Sequence, residues 1–198
     1  MSVTFTTSLS GYLQPSDFNY AVTGQPLKWA YGENAVSGTK VFSAWNTFEE
    51  VPGTLRASIL AAPGQKVIIQ AKLFWGGVNT TTSDVAANFR IMKSGNGGST
   101  WTSVGTYATD AGLGQQAAIG VATGSYLYNH GDTNASSIQD NILMVDENVT
   151  STSTVIYAVH WACGYSPNNR TLYWNRTINT LNSYNSTHLN TISLMSIK

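Results

Sequence analysis

The last third of the chain contains three short runs in which apolar residues alternate with polar or aromatic ones. These runs are residues 154–160, 172–177 and 191–197, and segments rich in Asn and Ser separate them. Alternation with a period of two places every second side chain on the same face of a β-strand. Gly, Asn, Ser and Thr interrupt every window that might show apolar spacing at 3.6 residues. The pattern therefore predicts an all-β fold, an antiparallel β-sandwich or a jelly roll.

Similar runs predict the other strands of this sandwich. They lie at residues 3–7, 27–30, 41–48, 66–75, 88–93, 100–107, 116–121 and 137–145, and the first two closing runs are predicted as strands at 152–161 and 172–176. The run at 66–75 is almost continuously apolar, which predicts burial on both faces, by the opposing sheet and by another subunit. The best helical prediction is one short turn within residues 53–60.

A length of 198 residues fits one β-sandwich, and no linker or repeat divides the chain, so we predict a single domain over residues 1–198. Residues 1–38 are less regular than the remainder. They form either an N-terminal arm that packs on a partner or an ordinary edge hairpin, and the sequence favours neither.

The composition excludes several classes of function. Only 10% of the residues are charged, and ten Lys and Arg balance ten Asp and Glu. Binding to nucleic acid requires basic clusters, and the chain has none, so we expect no nucleic-acid partner. No apolar run is long enough to span a membrane, and the first residues do not resemble a signal peptide, so we expect no membrane partner and synthesis in a cytoplasm. A surface with few charges tolerates association with other subunits.

The residues that commonly carry chemistry are poorly placed for it. Cys163 is the single cysteine, and His130, His160 and His188 have no zinc-binding spacing. Within a strand, His160 and Cys163 would point to opposite faces. The oxygen-rich segment 130–134 is a candidate calcium loop, although a plain polar turn is the favoured interpretation. We therefore predict no catalytic residues, no metal site and no cofactor.

Residues 94–101, with the sequence SGNGGSTW, resemble the Asp-box motif, with Asn96 in place of its aspartate. In this motif a short polar side chain caps a turn, glycines accept positive φ, and a tryptophan covers the base of the hairpin. Sialidases carry several copies together with an arginine triad, whereas this chain has one copy and no such triad. The segment is predicted to be a structural hairpin.

The three closing strands also resemble a known family. The patterns Tyr-x-Val at 157–159, Tyr-x-Asn-Arg at 173–176 and Thr-x-x-Leu-Met-x-Ile at 191–197 are similar to the closing strands of trimeric jelly-roll proteins of tailed-phage virions. That family includes head-decoration proteins and tail-fibre knobs of aquatic phages. The resemblance extends over residues 66–198, and Ser196 departs from it where an acidic residue is usual.

The resemblance implies an all-β, jelly-roll-type antiparallel β-sandwich, and a homotrimeric viral structural protein rather than an enzyme. Its expected role is that of a capsid decoration, or cement, protein that binds the major capsid protein on the outer surface of the phage head. It would be made in the host cytoplasm and located on the virion. Two alternatives remain open: a receptor-binding head-fibre or tail-fibre knob that contacts a host-surface glycan, and a carbohydrate-binding module or glycan-active enzyme.

Two groups of residues are assigned to interfaces on this basis. The residues expected at or near the trimer interface are Tyr157, His160, Tyr173 and Trp174. The residues expected to face the capsid are Phe5, Leu9, Tyr12 and Leu13.

Overall fold

The computed structural model describes residues 26–44, 47–79, 84–104, 123–128, 137–147, 149–150, 152–164, 170–176 and 188–197. Across these ranges the regular secondary structure consists of twelve β-strands without a helix, which confirms the all-β prediction. The strands predicted at 3–7 and 116–121 and the candidate calcium loop at 130–134 lie outside the described residues. In the described part of the chain, no helix has the length and apolarity needed to cross a membrane.

The strands form two six-stranded antiparallel sheets. Their bounds are β1 Pro26–Asn34, β2 Gly38–Phe42, β3 Glu49–Glu50, β4 Arg56–Ala61, β5 Lys66–Asn79, β6 Asp84–Ser94, β7 Thr102–Ser103, β8 Thr123–Tyr128, β9 Ser137–Asp146, β10 Ser153–Cys163, β11 Arg170–Trp174 and β12 Asn190–Ile197.

The long strand β5 is the centre of the first sheet, called sheet I here. Strand β9 pairs with one edge of β5, while β12 and β11 pair with successive parts of its other edge. Strand β1 extends the sheet beyond β12, and β2 extends it beyond β11. The outermost positions of sheet I are therefore held by β1 and β2 on one side and by β9 on the other.

Strands β10 and β6 are the centre of the second sheet, sheet II. Strands β4 and β3 pair with the free edge of β10, and β8 and β7 pair with the free edge of β6. The eight longer strands thus lie in the orders β1-β12-β5-β9 and β4-β10-β6-β8. This alternation of the chain between two antiparallel sheets is that of a jelly roll, as the sequence predicts.

The core between the sheets is aromatic. The rings of Trp161 and Trp174 lie 5.7 Å apart between centroids, and Phe42 and Phe89 contact them at 5.5 and 6.4 Å. Trp75 contacts Phe89 from the other side at 6.4 Å. Burial of these large rings removes much apolar surface from water and fixes the spacing of the two sheets.

The prediction of a helical turn at residues 53–60 is wrong. Gly53 and Thr54 have positive φ angles of 71° and 55° and close a turn, after which the chain enters β4. The burial of β4 alternates, with Ala57 and Ile59 inside and Ser58 exposed. Pairing with β10 explains the outcome, because ladder hydrogen bonds and burial outweigh a weak local helical preference.

The predicted hairpin at residues 94–101 is confirmed and joins β6 to β7. The side-chain oxygen of Asn96 accepts hydrogen bonds from the Thr100 amide at 3.0 Å and the Ser94 hydroxyl at 2.8 Å. Gly97 and Gly98 have φ angles of 73° and 90°. Asparagine therefore closes this turn in place of the aspartate of the motif.

Candidate interaction surface

An aligned row of apolar side chains crosses the outer face of sheet I. In the strand register Trp29 lies opposite Met195, Met195 opposite Ile68, and Ile68 opposite Val145. Directly opposed residues of a sheet point to the same face, so these four side chains lie side by side across β1, β12, β5 and β9. A single row therefore spans four strands without a charged residue.

A second row lies two residues further along each strand. It consists of Tyr31, Ser193, Gln70 and Leu143, in that order across the sheet. The two rows are separated by about 7 Å, the rise of two strand residues. The apolar side chains of the two rows together are called the apolar face, which consists of Trp29, Tyr31, Ile68, Leu143, Val145 and Met195.

Most of the apolar face is accessible to solvent. The exposed fraction is 71% for Trp29 and 75% for Leu143, and Tyr31, Val145 and Met195 are also exposed. A depression of about 340 Å³ on this face is lined by Trp29, Ile68, Gln70, Ser193 and Met195. Isolated exposed apolar side chains are normal on a protein surface, but a contiguous group usually marks an interaction site.

Charged side chains border the apolar face. Glu33, Thr191, Lys72 and Asn141 form the next row along the strands. Neither Glu33 nor Lys72 forms an ion pair with any residue in the described ranges, and Lys72 instead lies with its ammonium 5.1 Å from the Phe74 ring. An apolar centre with a polar border is the usual composition of a protein–protein interface.

At the opposite end of this face, Lys66 and Glu147 form an ion pair with a distance of 2.9 Å between Nζ and Oε1. Both side chains are exposed, so the pair contributes little to the stability of the isolated subunit. The apolar face therefore has charged groups at both ends of its strands.

Two of the residues predicted at or near the trimer interface have their side chains inside the single subunit. Tyr157 and Trp174 are 0% exposed within the single subunit. The Tyr157 hydroxyl donates a hydrogen bond to Asp146, and the Trp174 ring packs between Trp161 and Phe89. The inward alternation of β10 and β11 turns both rings into the core, and a position near a trimer interface stays a prediction for these residues.

The other two predicted interface residues lie on opposite outer faces of the sandwich. Tyr173 is partly exposed on sheet I, where the guanidinium of Arg176 lies 5.0 Å from its ring centroid. His160 is partly exposed on sheet II, with its ring 5.6 Å from that of Trp101. The structure therefore does not bring the four residues together, and an interface role for Tyr173 or His160 stays a prediction.

The predicted capsid-facing residues lie outside the described residues. They are Phe5, Leu9, Tyr12 and Leu13. Residues 1–38 are predicted to form either an arm or an edge hairpin, and the structure describes only those from Pro26 onward. There β1 pairs with β12 at the border of sheet I.

The residues of the apolar face are absent from the sequence predictions, although two signals for them exist. Residues 142–145 of β9 are apolar without interruption, so one strand presents apolar side chains to both faces. The other signal is the run at 66–75, for which the sequence predicts burial on both faces. In the single subunit Gln70 and Lys72 are exposed on the outer face and Ile68 is half-buried there, so burial of that face by another subunit stays a prediction.

Charged residues also occur inside the sandwich, where they join the two sheets. The Lys93 ammonium donates to both carboxylate oxygens of Asp146 at 2.8 Å. Burial, together with the charge of Asp146 and the hydrogen bond to it, raises the pKa of Tyr157 well above its ordinary value. The phenol of Tyr157 therefore stays neutral, and the carboxylate of Asp146 accepts hydrogen bonds from both Tyr157 and Lys93. The role of this cluster is structural.

The described residues contain no cluster of three or more His, Cys, Asp or Glu side chains that could hold a metal ion. Cys163 lies in the core, while His160 lies on the outer face of sheet II. The two side chains are on opposite faces of β10, as the strand periodicity predicts.

No protein-family model matches the chain, and no curated protein matches it. Among solved structures, it resembles the CBM22-1 xylan-binding domain of Paenibacillus barcinonensis Xyn10C at 7% identity and a TM-score of 0.30, covering 90% of this chain and 99% of that one. It resembles Eiger TNF from S. frugiperda at 4% identity and a TM-score of 0.30, covering 80% and 98%. It resembles infectious bursal disease virus, Gx strain, at 11% identity and a TM-score of 0.32, covering 89% of this chain and 38% of that one. Likeness this weak does not assign a function.

Proposed function

We propose that the chain is a viral structural protein, a decoration or cement protein that binds the outer surface of a phage head as a homotrimer. Its partners are further copies of itself and the major capsid protein, and it is not an enzyme. The observation that carries this proposal is the apolar face of sheet I. A structural subunit needs such a face for contact with other proteins, and an isolated soluble domain does not.

The chemistry of the face favours a protein partner. It combines Trp29, Tyr31 and Met195 with the aliphatic side chains of Leu143 and Val145. Aromatic residues and Met are enriched in protein interfaces, and aliphatic side chains are readily buried there. The formal net charge of the chain is zero, so copies of it have little electrostatic reason to repel one another.

The work of a decoration protein is binding alone. A trimer that bridges neighbouring shell subunits makes their separation depend on breaking additional contacts, and linking several weak contacts multiplies their effect. A closed cyclic trimer also matches the local three-fold positions of a shell. The resemblance of the closing strands to trimeric virion proteins supports this assembly state.

The first experiment measures the native mass of the purified protein and its binding to undecorated phage heads. We expect three times 21.3 kDa and co-sedimentation with the heads. A variant lacking residues 1–14 should keep its trimeric mass and lose head binding. A monomer at every concentration, or the absence of head binding by the full chain, would contradict the proposal.

A carbohydrate-binding role is the second candidate, because Trp29 is exposed beside a depression that Gln70 and Ser193 also line. Sugar rings stack on exposed aromatic faces, and amide and hydroxyl groups bind their hydroxyls. The Trp29 and Tyr31 rings meet at 73°, however, so they do not form one flat platform. Binding of a host-surface glycan that is lost in Trp29→Ala and kept in Val145→Ala would support this role, whether as a receptor-binding knob or as a binding module.

A further inference from the structure

The two sides of the apolar face differ in chemistry, and this difference indicates how copies of the chain pack. Aromatic residues lie on the β1 side, at Trp29 and Tyr31. Aliphatic residues lie on the β9 side, at Leu143 and Val145. The charges of the bordering row differ in the same way, with the acid Glu33 on β1 and the base Lys72 on β5.

We propose that the β1 side of the apolar face on one copy packs against the β9 side of the same face on a second copy. In this arrangement Glu33 of one copy pairs with Lys72 of the next. The inference rests on the self-association contained in the proposed function, and it specifies which residues meet.

The register of sheet I determines the orientation of the contact. A rotation axis parallel to the strands keeps every row at its own height when one copy is rotated onto the next. Trp29 then meets Val145, and Tyr31 meets Leu143. Glu33 lies opposite Asn141, which pairs with Lys72 on the neighbouring strand about 5 Å away, so the long lysine side chain can reach the carboxylate. A two-fold axis perpendicular to the strands reverses the order of the rows, so it cannot keep all three rows opposite their own counterparts at once.

The charges support the parallel axis. Glu33 and Lys72 are two strands apart in the subunit, roughly 10 Å between backbones, and form no ion pair with any described residue. A neighbouring copy at the same height places opposite charges together at the border of a buried apolar patch. Complementary charges at a border fix the orientation of a contact and disfavour incorrect ones.

The test is a charge exchange followed by sedimentation equilibrium over a range of concentrations. Glu33→Lys and Lys72→Glu should each weaken self-association by roughly tenfold or more, since each places like charges together. The double variant E33K/K72E restores the opposite charges and should return association to within a few-fold of the unmodified protein. Single exchanges without effect, or a double exchange that fails to rescue, would overturn the inference.

A second set of variants tests the apolar contact itself. Leu143→Glu and Met195→Glu should abolish self-association, because each would bury a carboxylate without a partner. Leu60→Glu is the matched control, since Leu60 is exposed to a similar degree as Met195 but lies on β4 of sheet II. Circular dichroism should show that all three variants remain folded.

The outcomes separate this inference from the proposed function. If the unmodified protein assembles and Leu143→Glu still assembles, the contact lies elsewhere and only the inference fails. If the unmodified protein is monomeric at every concentration, the proposed self-assembly fails with it.

Discussion

The hydroxyl of Tyr157 in β10 donates a hydrogen bond of 2.8 Å to the carboxylate of Asp146 at the end of β9. This bond crosses from sheet II to sheet I in the interior of the sandwich, and the ammonium of Lys93 reaches the same carboxylate. A tyrosine that the sequence suggests for an interface is therefore part of the internal connection between the two sheets.

Tyr157→Phe should lower the free energy of unfolding by about 1–2 kcal/mol, because the ring stays packed while a buried carboxylate loses a hydrogen-bond donor. Asp146→Asn should cost more, since it also removes the charge that faces Lys93. Urea unfolding measures both effects. Ser58→Ala, at an exposed position of β4, is the control and should be nearly neutral. Equal stabilities of Tyr157→Phe and the unmodified protein would contradict a role for the bond.

His160 should make the stability of the protein dependent on pH. Burial lowers the pKa of this imidazole below its ordinary 6.5; Glu50 and Glu49 oppose that shift, and Arg90 and Arg56 reinforce it. A histidine whose pKa is lower in the folded state than in the unfolded state binds its proton more readily when unfolded. Its contribution to stability is therefore complete above about pH 6.5 and is lost as the pH falls below that value.

The measurement is the free energy of unfolding between pH 7.5 and pH 5 for the unmodified protein and for His160→Gln. The decline toward low pH should be smaller in the variant. His188→Gln is the control, since that ring is stacked on Phe74 of sheet I. Curves of equal slope for His160→Gln and the unmodified protein would refute the expectation.

Gly97→Ala should destabilise the hairpin between β6 and β7 by about 1 kcal/mol, because a φ of 73° is strained for any residue with a Cβ atom. No atom lies within 4 Å of the Cβ that the substitution would add, so steric contact does not contribute. Gly95→Ala is the matched control: its Cβ would also meet open space, and its φ is not positive. Thermal unfolding should show a lower midpoint for Gly97→Ala alone, and equal midpoints would contradict the explanation.

Adjacent residues of β11 should behave in opposite ways. Trp174→Ala should lower the free energy of unfolding by about 3–5 kcal/mol, since it empties a fully buried site between Trp161 and Phe89. Tyr173→Ala should leave stability almost unchanged and, if Tyr173 takes part in subunit contacts, should weaken self-association. Unfolding and sedimentation measurements on the two variants distinguish these effects. A strong loss of stability in Tyr173→Ala would contradict its placement on the outer face.

Several strands can be predicted because their local pattern agrees with their final environment. The runs at 137–145, 152–161 and 191–197 closely match β9, β10 and β12. Strand β4 is not predicted because residues 56–61 carry a weak local signal, and pairing with β10 decides their conformation. Strand β8, at residues 123–128, is not predicted either.

The sequence by itself determined the class of the fold, the absence of charge clusters and the turn at residues 94–101. Each of these depends on composition or on residues close together in the chain. Only the tertiary structure decided which side of each strand faces solvent. It therefore decided that Trp174 is buried whereas Trp29 is exposed. It also placed Trp29, Met195, Ile68 and Val145 in one row, because strand register joins residues that are far apart in the sequence.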